Sequence, residues 1–173
     1  MASCVAALTL GCAGDDEGDD SGSAMDTSGG ADGSDGSSGG GATVDSEDVA
    51  EMVLMFESLE KVTDMPIAST HGLANTMNVW VSSNAFDGYM GLPTATTFEE
   101  GSLFVKEQLN ADGSLDSMAA MFKGPAGYAP DAGDWWFGLV NPDGSLGPAG
   151  QPGTCVDCHA MAEIDFAYGI SGG

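Results

Sequence analysis

The chain has 173 residues and carries 27 aspartates and glutamates against 3 lysines and no arginine, so its formal net charge is -24. This charge repels phosphate groups, which excludes nucleic acid as a partner and an anionic lipid surface as an electrostatic partner. A basic redox partner protein would be attracted, although an acidic surface also serves plain solubility. The sequence has no run of 18 apolar residues, and it therefore predicts no membrane-spanning helix.

The amino terminus resembles an export signal that ends in a lipidated cysteine. Residues 1–10 are small and apolar, and Leu8-Thr9-Leu10-Gly11-Cys12 is similar to a bacterial lipobox. Thr9 stands where leucine is usual, and the positive start of a signal is missing, which a start site read too far downstream would explain. The alternative is an apolar tail with a stray cysteine. We interpret residues 1–12 as a signal and lipobox remnant, which predicts an extracytoplasmic protein anchored to the membrane only by a lipid on Cys12.

An acidic segment follows at residues 13–42. It consists almost entirely of Gly, Ser, Asp, Ala and Glu, and 11 of the 27 acidic residues lie between Asp15 and Asp48. Such a composition offers too little apolar surface to offset the entropy of ordering, so it predicts a disordered linker. The remaining residues, 43–173, number about 130, which is enough for one modest core.

The domain is predicted to begin with a helix. Asp45 or Ser46 can cap it, acidic residues occupy its first turn, and it should end before Pro66. Its apolar face is predicted from residues at helical spacing, which are Val49, Met52, Val53, Phe56 and Leu59.

Short apolar runs separated by turns then predict a sheet. Strands are expected at residues 77–82, 102–107, 118–123 and 135–140, with a short helix from Ser83 or Asn84 through Tyr89. Asn141-Pro142-Asp143-Gly144 is a strong turn, and residues 147–153 are predicted as a loop. The predicted fold class is α+β: a small, mostly antiparallel sheet with an N-terminal helix and a short C-terminal helix.

That C-terminal helix carries Cys155-Val156-Asp157-Cys158-His159, a CxxCH motif typical of c-type haem attachment. Two thiols three positions apart lie about one helical turn from each other, so both can add to the vinyl groups of one porphyrin. The histidine that follows can then serve as the axial ligand of the iron. The motif therefore predicts one covalently bound haem c, held by Cys155 and Cys158 with His159 as its metal ligand.

Three alternatives to haem stay open for this motif. A zinc site needs about four protein ligands, and the rest of the chain adds only Cys4, Cys12 and His71. A thioredoxin-like redox pair would lie in a βαβ pattern, which the surrounding sequence does not show. The third alternative is a structural disulfide.

The late position of the motif separates it from ordinary electron-carrier cytochromes c, where it lies near the start and a methionine ligand follows. Here only Met161 follows His159, two residues on and too close to reach the opposite side of the ring. Glycine, proline and tryptophan between Leu92 and Gly153 disagree with a four-helix cytochrome. We therefore expect a sheet to lie against the porphyrin.

From His71 to Tyr168 the sequence resembles the cytochrome P-460 family, whose elements occur here in the family's order. The stretch Phe98 to Glu107 is similar to F-x-x-G-T-x-x-x-K-E, and a strand-then-helix element lies near His71. The other matching elements are Met121-Phe122-Lys123, Gly127-Tyr128, Gly133-Asp134-Trp135, Cys155 to His159, and Asp165 to Tyr168.

The resemblance implies roles for particular residues. Lys106 matches the family lysine that can bond covalently to the porphyrin, although the related cytochromes c′-β share the fold without that link. His159 is the proximal ligand, and the sixth position of the iron is open or water-bound. Lys123 is expected to face outward from its strand, and His71 to be a loop residue rather than a second ligand.

The resemblance also implies two functions. The first is enzymatic: hydroxylamine, or a related small nitrogen compound, is oxidised and electrons pass to an acceptor, with Lys106 as a catalytic candidate. A distal carboxylate would accept protons there, and Glu99, Glu100 and Glu107 are the candidates, among which the sequence does not choose. The second is non-enzymatic nitric oxide binding of the cytochrome c′-β type, and a simple electron carrier is a further alternative. A homodimer is expected by analogy alone.

Overall fold

The computed structural model describes residues 41–71, 74–94 and 97–170. The predicted signal remnant, with Cys12, and the acidic linker up to residue 40 lie outside the described residues. Within the described part of the chain, no helix is long and apolar enough to cross a membrane.

The described residues form an α+β fold, as predicted, with a seven-stranded antiparallel sheet and three α-helices. The strands follow the order β1-β3-β4-β5-β6-β7 across the sheet, and β2 also pairs with β3. In chain order the elements are α1 (Ser46–Leu54), β1 (Glu60–Lys61), β2 (Ile67–Ala68), β3 (Thr76–Val81), α2 (Ser83–Met90), β4 (Leu103–Leu109), β5 (Leu115–Lys123), β6 (Trp135–Val140), β7 (Leu146–Gly150) and α3 (Gly153–His159).

The first helix is capped as predicted but is shorter than its apolar spacing suggested. The Asp45 carboxylate accepts hydrogen bonds from the backbone N–H groups of Glu47 and Asp48, which satisfies two of the free donors of the first turn. The helix ends at Leu54 and a 3₁₀ turn follows at Phe56–Ser58. This break lets Phe56 pack edge-on against Trp80, with ring centroids 5.3 Å apart, so a tertiary contact overrides the local periodicity.

The sheet buries side chains on both faces because successive residues of a strand point to opposite sides. One face packs against α1 through Leu103, Val105 and Trp136. We call the other the site face; it carries Phe104 and Phe137 and packs against the segment that holds the CxxCH motif. The alternation along β4 therefore places Lys106 on the site face, beside Val79 of β3 and Ala119 of β5.

Residues 147–153 are not a simple loop, which corrects the prediction. Leu146–Gly150 forms the edge strand β7, with Gly138 opposite Ala149 and Phe137 opposite Gly150. The segment contains two glycines and a proline, residues that sheets accept at an edge, where a missing N–H donor leaves no neighbouring strand unsatisfied. All four predicted strands are confirmed, with bounds that differ by up to three residues.

Candidate haem site

The CxxCH motif lies on α3, a helix that begins directly after Pro152. The backbone N–H groups of Cys155 and Val156 both donate to the Pro152 carbonyl, at 2.9 and 3.0 Å. Cys155 is half-buried and Cys158 is exposed, and both are free thiols. The structure therefore does not join them as a disulfide, and it leaves both sulfurs free for another bond.

His159 is buried and held in one orientation. Its Nδ1 lies 2.7 Å from the Phe166 carbonyl oxygen, so the tautomer that carries a proton on Nδ1 donates this bond and leaves Nε2 with a lone pair. Asp165 and Phe166 both have positive φ, 44° and 61°, and this left-handed backbone sets the position of the carbonyl. Burial is the largest influence on the pKa of His159 and lowers it, the bond to Phe166 raises it and the Lys106 charge lowers it. The lowered pKa favours the neutral ring that a metal ligand requires.

A cavity of about 370 Å³, counted with the part open to solvent, lies between this helix and the site face of the sheet. Its wall is mainly apolar and aromatic, with an amine and two imidazoles among the polar groups. The lining residues are His71, Val79, Tyr89, Phe104, Lys106, Ala119, Ala120, Met121, His159 and Tyr168.

Lys106 and His159, which the sequence analysis placed at one site, line this same cavity. Burial lowers the pKa of Lys106 to about 8, and the neighbouring Cys158 partly opposes this by raising it. An amine with this pKa is neutral in a substantial fraction of molecules slightly above neutral pH, and a neutral amine can accept a proton or act as a nucleophile.

This pKa predicts a pH dependence of stability in the chain produced without haem. The folded-state pKa of about 8 lies below the unfolded value of 10.5, so the unfolded chain binds more protons between these values and stability rises with pH there. From pH 8 to pH 10 the free energy of unfolding should rise by about 2 kcal/mol more than in Lys106→Met. Urea unfolding of both chains at the two pH values measures this, and an equal rise in both would contradict it.

The three candidate carboxylates do not reach the cavity. Glu99 and Glu100 are exposed in the turn before β4. Glu107 follows Lys106 on the strand and so lies on the opposite face, where its carboxylate accepts hydrogen bonds from Asn78 Nδ2 at 2.9 Å and Trp80 Nε1 at 3.0 Å. Among the residues that line the cavity, the groups that can take up protons are therefore the Lys106 amine and the imidazoles of His71 and His159.

Lys123 does not face outward, and that expectation was wrong. Its side chain is 13 % exposed, and its Nζ lies 2.8 and 2.9 Å from the two carboxylate oxygens of Asp165 and 4.8 Å from the Trp135 ring centre. The same carboxylate accepts from the Phe98 N–H at 2.8 Å and from Trp135 Nε1 at 3.2 Å. The alternation of side chains along β5 could have predicted this inward direction, because Lys123 shares a face of the sheet with the buried Met121.

His71 was predicted as a loop residue, and it lies in the loop between β2 and β3. It also lines the cavity, and its ring centre lies 6.2 Å from that of His159. Burial, followed by the charges of Lys106 and His159, lowers its pKa to about 4. The sequence offered no periodic or spacing signal for this approach, since 88 positions separate the two histidines.

The donor set fits a c-type haem better than zinc. Two free thiols one helical turn apart and an oriented neutral imidazole lie beside a largely apolar cavity, as the attachment chemistry needs. In contrast, residues 41–71, 74–94 and 97–170 contain no cluster of three or more His, Cys, Asp or Glu that could hold a metal ion by itself. No model of a known protein family matches the chain, and no curated protein matches it.

Proposed function

We propose that this chain is an extracytoplasmic mono-haem c-type cytochrome of the cytochrome P-460 kind, which acts on hydroxylamine or a related small nitrogen compound. The observation that carries the proposal is His159, buried at the end of the CxxCH helix with its Nδ1 bonded to the Phe166 carbonyl and Lys106 in the same cavity. Cys155 and Cys158 would hold the haem, and His159 would bind its iron.

The bound haem would supply the redox centre, and the chain's own groups would manage the protons. Oxidation of hydroxylamine releases protons together with electrons. The Lys106 amine lines the cavity and can take up such a proton in its neutral form, which burial favours, whereas Glu99, Glu100 and Glu107 lie away from the cavity. The electrons would leave to a redox partner, and the strongly acidic chain favours a basic one.

A second function is nitric oxide binding without turnover, and the cavity wall favours it. Val79, Phe104 and Met121 present apolar surface, and no carboxylate belongs to the described lining. An apolar wall binds an uncharged diatomic gas without a desolvation cost, whereas it offers few partners to a polar substrate.

Three measurements on the matured protein test the proposal: its intact mass, its turnover of hydroxylamine and its absorption spectrum. Intact mass should show one attached haem. Hydroxylamine with an artificial electron acceptor should give turnover that Lys106→Ala lowers by about a hundredfold or more, the lower end of what a positioned proton acceptor contributes. Lys106→Ala should also abolish any unusual long-wavelength Soret band, whereas Lys61→Ala, which removes an exposed lysine on β1, should change neither.

The possible results distinguish hydroxylamine oxidation from nitric oxide binding and test the role of Lys106. Nitric oxide binding without hydroxylamine turnover would favour the second function. A haem that binds neither compound would rule out both. A long-wavelength band that persists in Lys106→Ala would show that Lys106 does not modify the porphyrin.

A further inference from the structure

A strained four-residue turn, residues 164–167, follows the CxxCH helix, and we call it the proximal turn. The Ala167 N–H donates to the Ile164 carbonyl at 2.8 Å and closes it. Both central residues have positive φ, 44° at Asp165 and 61° at Phe166, as a type I′ turn requires. Glycine is the preferred second residue of such a turn, so a phenylalanine there is strained. Strain of this kind persists only where the surrounding structure holds it.

The Asp165 side chain is the first anchor of the proximal turn. Its carboxylate oxygens lie 2.8 and 2.9 Å from Lys123 Nζ, and the carboxylate accepts from the Phe98 N–H at 2.8 Å. Trp135 Nε1 donates to the Asp165 backbone carbonyl at 2.8 Å and to its carboxylate at 3.2 Å. The side chain is 7 % exposed, so these groups take the place of water as its partners. Asp165 is therefore tied to the sheet through both its main chain and its side chain.

The Phe166 ring is the second anchor. It packs against the apolar core of the site face, in space that a glycine leaves free. A Cβ at Gly133 would lie 3.1 Å from Phe166 Cδ2 and 3.2 Å from Asp165 Oδ1, so a side chain there would press on both central residues of the turn. The two anchors together determine the direction of the Phe166 carbonyl.

That carbonyl is the oxygen to which His159 Nδ1 donates, at 2.7 Å. A ligand imidazole that donates such a bond is a more basic ligand, and this bond is one means by which a protein tunes its metal. We propose that Asp165, paired with Lys123, is a positioning residue for the proximal ligand, an inference that rests on the proposed haem. The pair holds the strained turn, the turn fixes the Phe166 carbonyl, and the carbonyl sets how strongly His159 stabilises ferric iron.

The midpoint potential of the matured haem protein tests this role, with the iron–histidine stretching frequency of the ferrous form, from resonance Raman spectra, as a second measurement. Lys123→Met leaves the Asp165 carboxylate buried without its cation, which favours its movement toward water and releases the turn. The ferrous-to-ferric ratio at a fixed potential should then rise about tenfold, which is about 59 mV for one electron. The stretching frequency should fall. A role through charge alone predicts a lower potential, because the remaining carboxylate would stabilise ferric iron.

Two further variants separate positioning from charge and from lost packing. Trp135→Phe removes the indole donor to Asp165 without a change of charge, and its potential should also rise. Lys123→Met combined with Asp165→Asn keeps an oxygen for the Phe98 N–H and leaves no buried charge unpaired. Its potential should return most of the way to that of the wild type. Val49→Ala is the matched control for lost stability, because Val49 is buried in α1 on the other face of the sheet. It should change neither measurement.

A potential that falls or stays constant in Lys123→Met would overturn the inference, as would a rise without a lower stretching frequency. An equal shift in Val49→Ala, or no recovery in the double variant, would also overturn it. All these results leave the proposed function standing. Conversely, a haem protein that neither oxidises hydroxylamine nor binds nitric oxide would overturn the proposed function, while the expected shifts would still support the role of Asp165. A chain whose intact mass shows no haem would overturn both.

Discussion

Replacement of both Cys155 and Cys158 by serine should leave the chain without covalently attached haem when it is expressed in a host that matures c-type cytochromes. A hydroxyl cannot form the thioether bonds that the two thiols would make, and both thiols are free on one face of α3. Haem-stained denaturing gels and intact mass measure the result. Each single serine variant should retain at most one bond to the porphyrin and a reduced yield of attached haem.

Asp157→Ala supplies the matched control for this experiment. Asp157 lies between the two cysteines on the same helix and is exposed, and the motif leaves its identity free. It should therefore keep the haem at wild-type yield. If the double serine variant still carried haem through denaturation, or if the wild type never acquired it, the assignment of Cys155 and Cys158 would be wrong.

Asp165→Ala should lower the free energy of unfolding by about 3–5 kcal/mol, the cost of leaving one partner of a buried ion pair uncompensated. The Asp165 side chain is 7 % exposed and that of Lys123 is 13 % exposed, so water cannot take over as the partner of the ammonium. The variant also removes an acceptor for the Phe98 N–H and one of the two acceptors of Trp135 Nε1. Urea or thermal unfolding of the matured protein measures the loss.

Two further variants test whether the lost ion pair causes this destabilisation. Lys123→Met with Asp165→Ala should be less destabilised than Asp165→Ala alone, because no buried charge then remains unpaired. Asp116→Ala removes an exposed aspartate of β5 and should change stability by no more than about 0.5 kcal/mol. Equal losses in Asp165→Ala and Asp116→Ala would show that the pair with Lys123 does not stabilise the fold.

The sequence predicted the strands that carry a dense apolar pattern and was less accurate elsewhere. Trp135–Val140 matches its predicted bounds because nearly every residue of this strand is buried. Leu146–Gly150 escaped prediction because an edge strand can be made of residues that normally mark loops. The first helix was predicted too long, since Phe56 continues the helical spacing but leaves the helix to contact Trp80.

In the candidate site, too, one part follows from the sequence and another part only from the tertiary structure. Cys155, Cys158 and His159 are adjacent in the chain, so the motif by itself determines that two thiols and an imidazole share one turn of helix. Only the tertiary structure decided what surrounds them. It turned Lys106 to the site face and Glu107 to the other, paired Lys123 with Asp165, and brought His71 to within 6.2 Å of His159. Local spacing determines contacts within a helix, whereas contacts across the sheet depend on strand register, and strand register is a property of the whole fold.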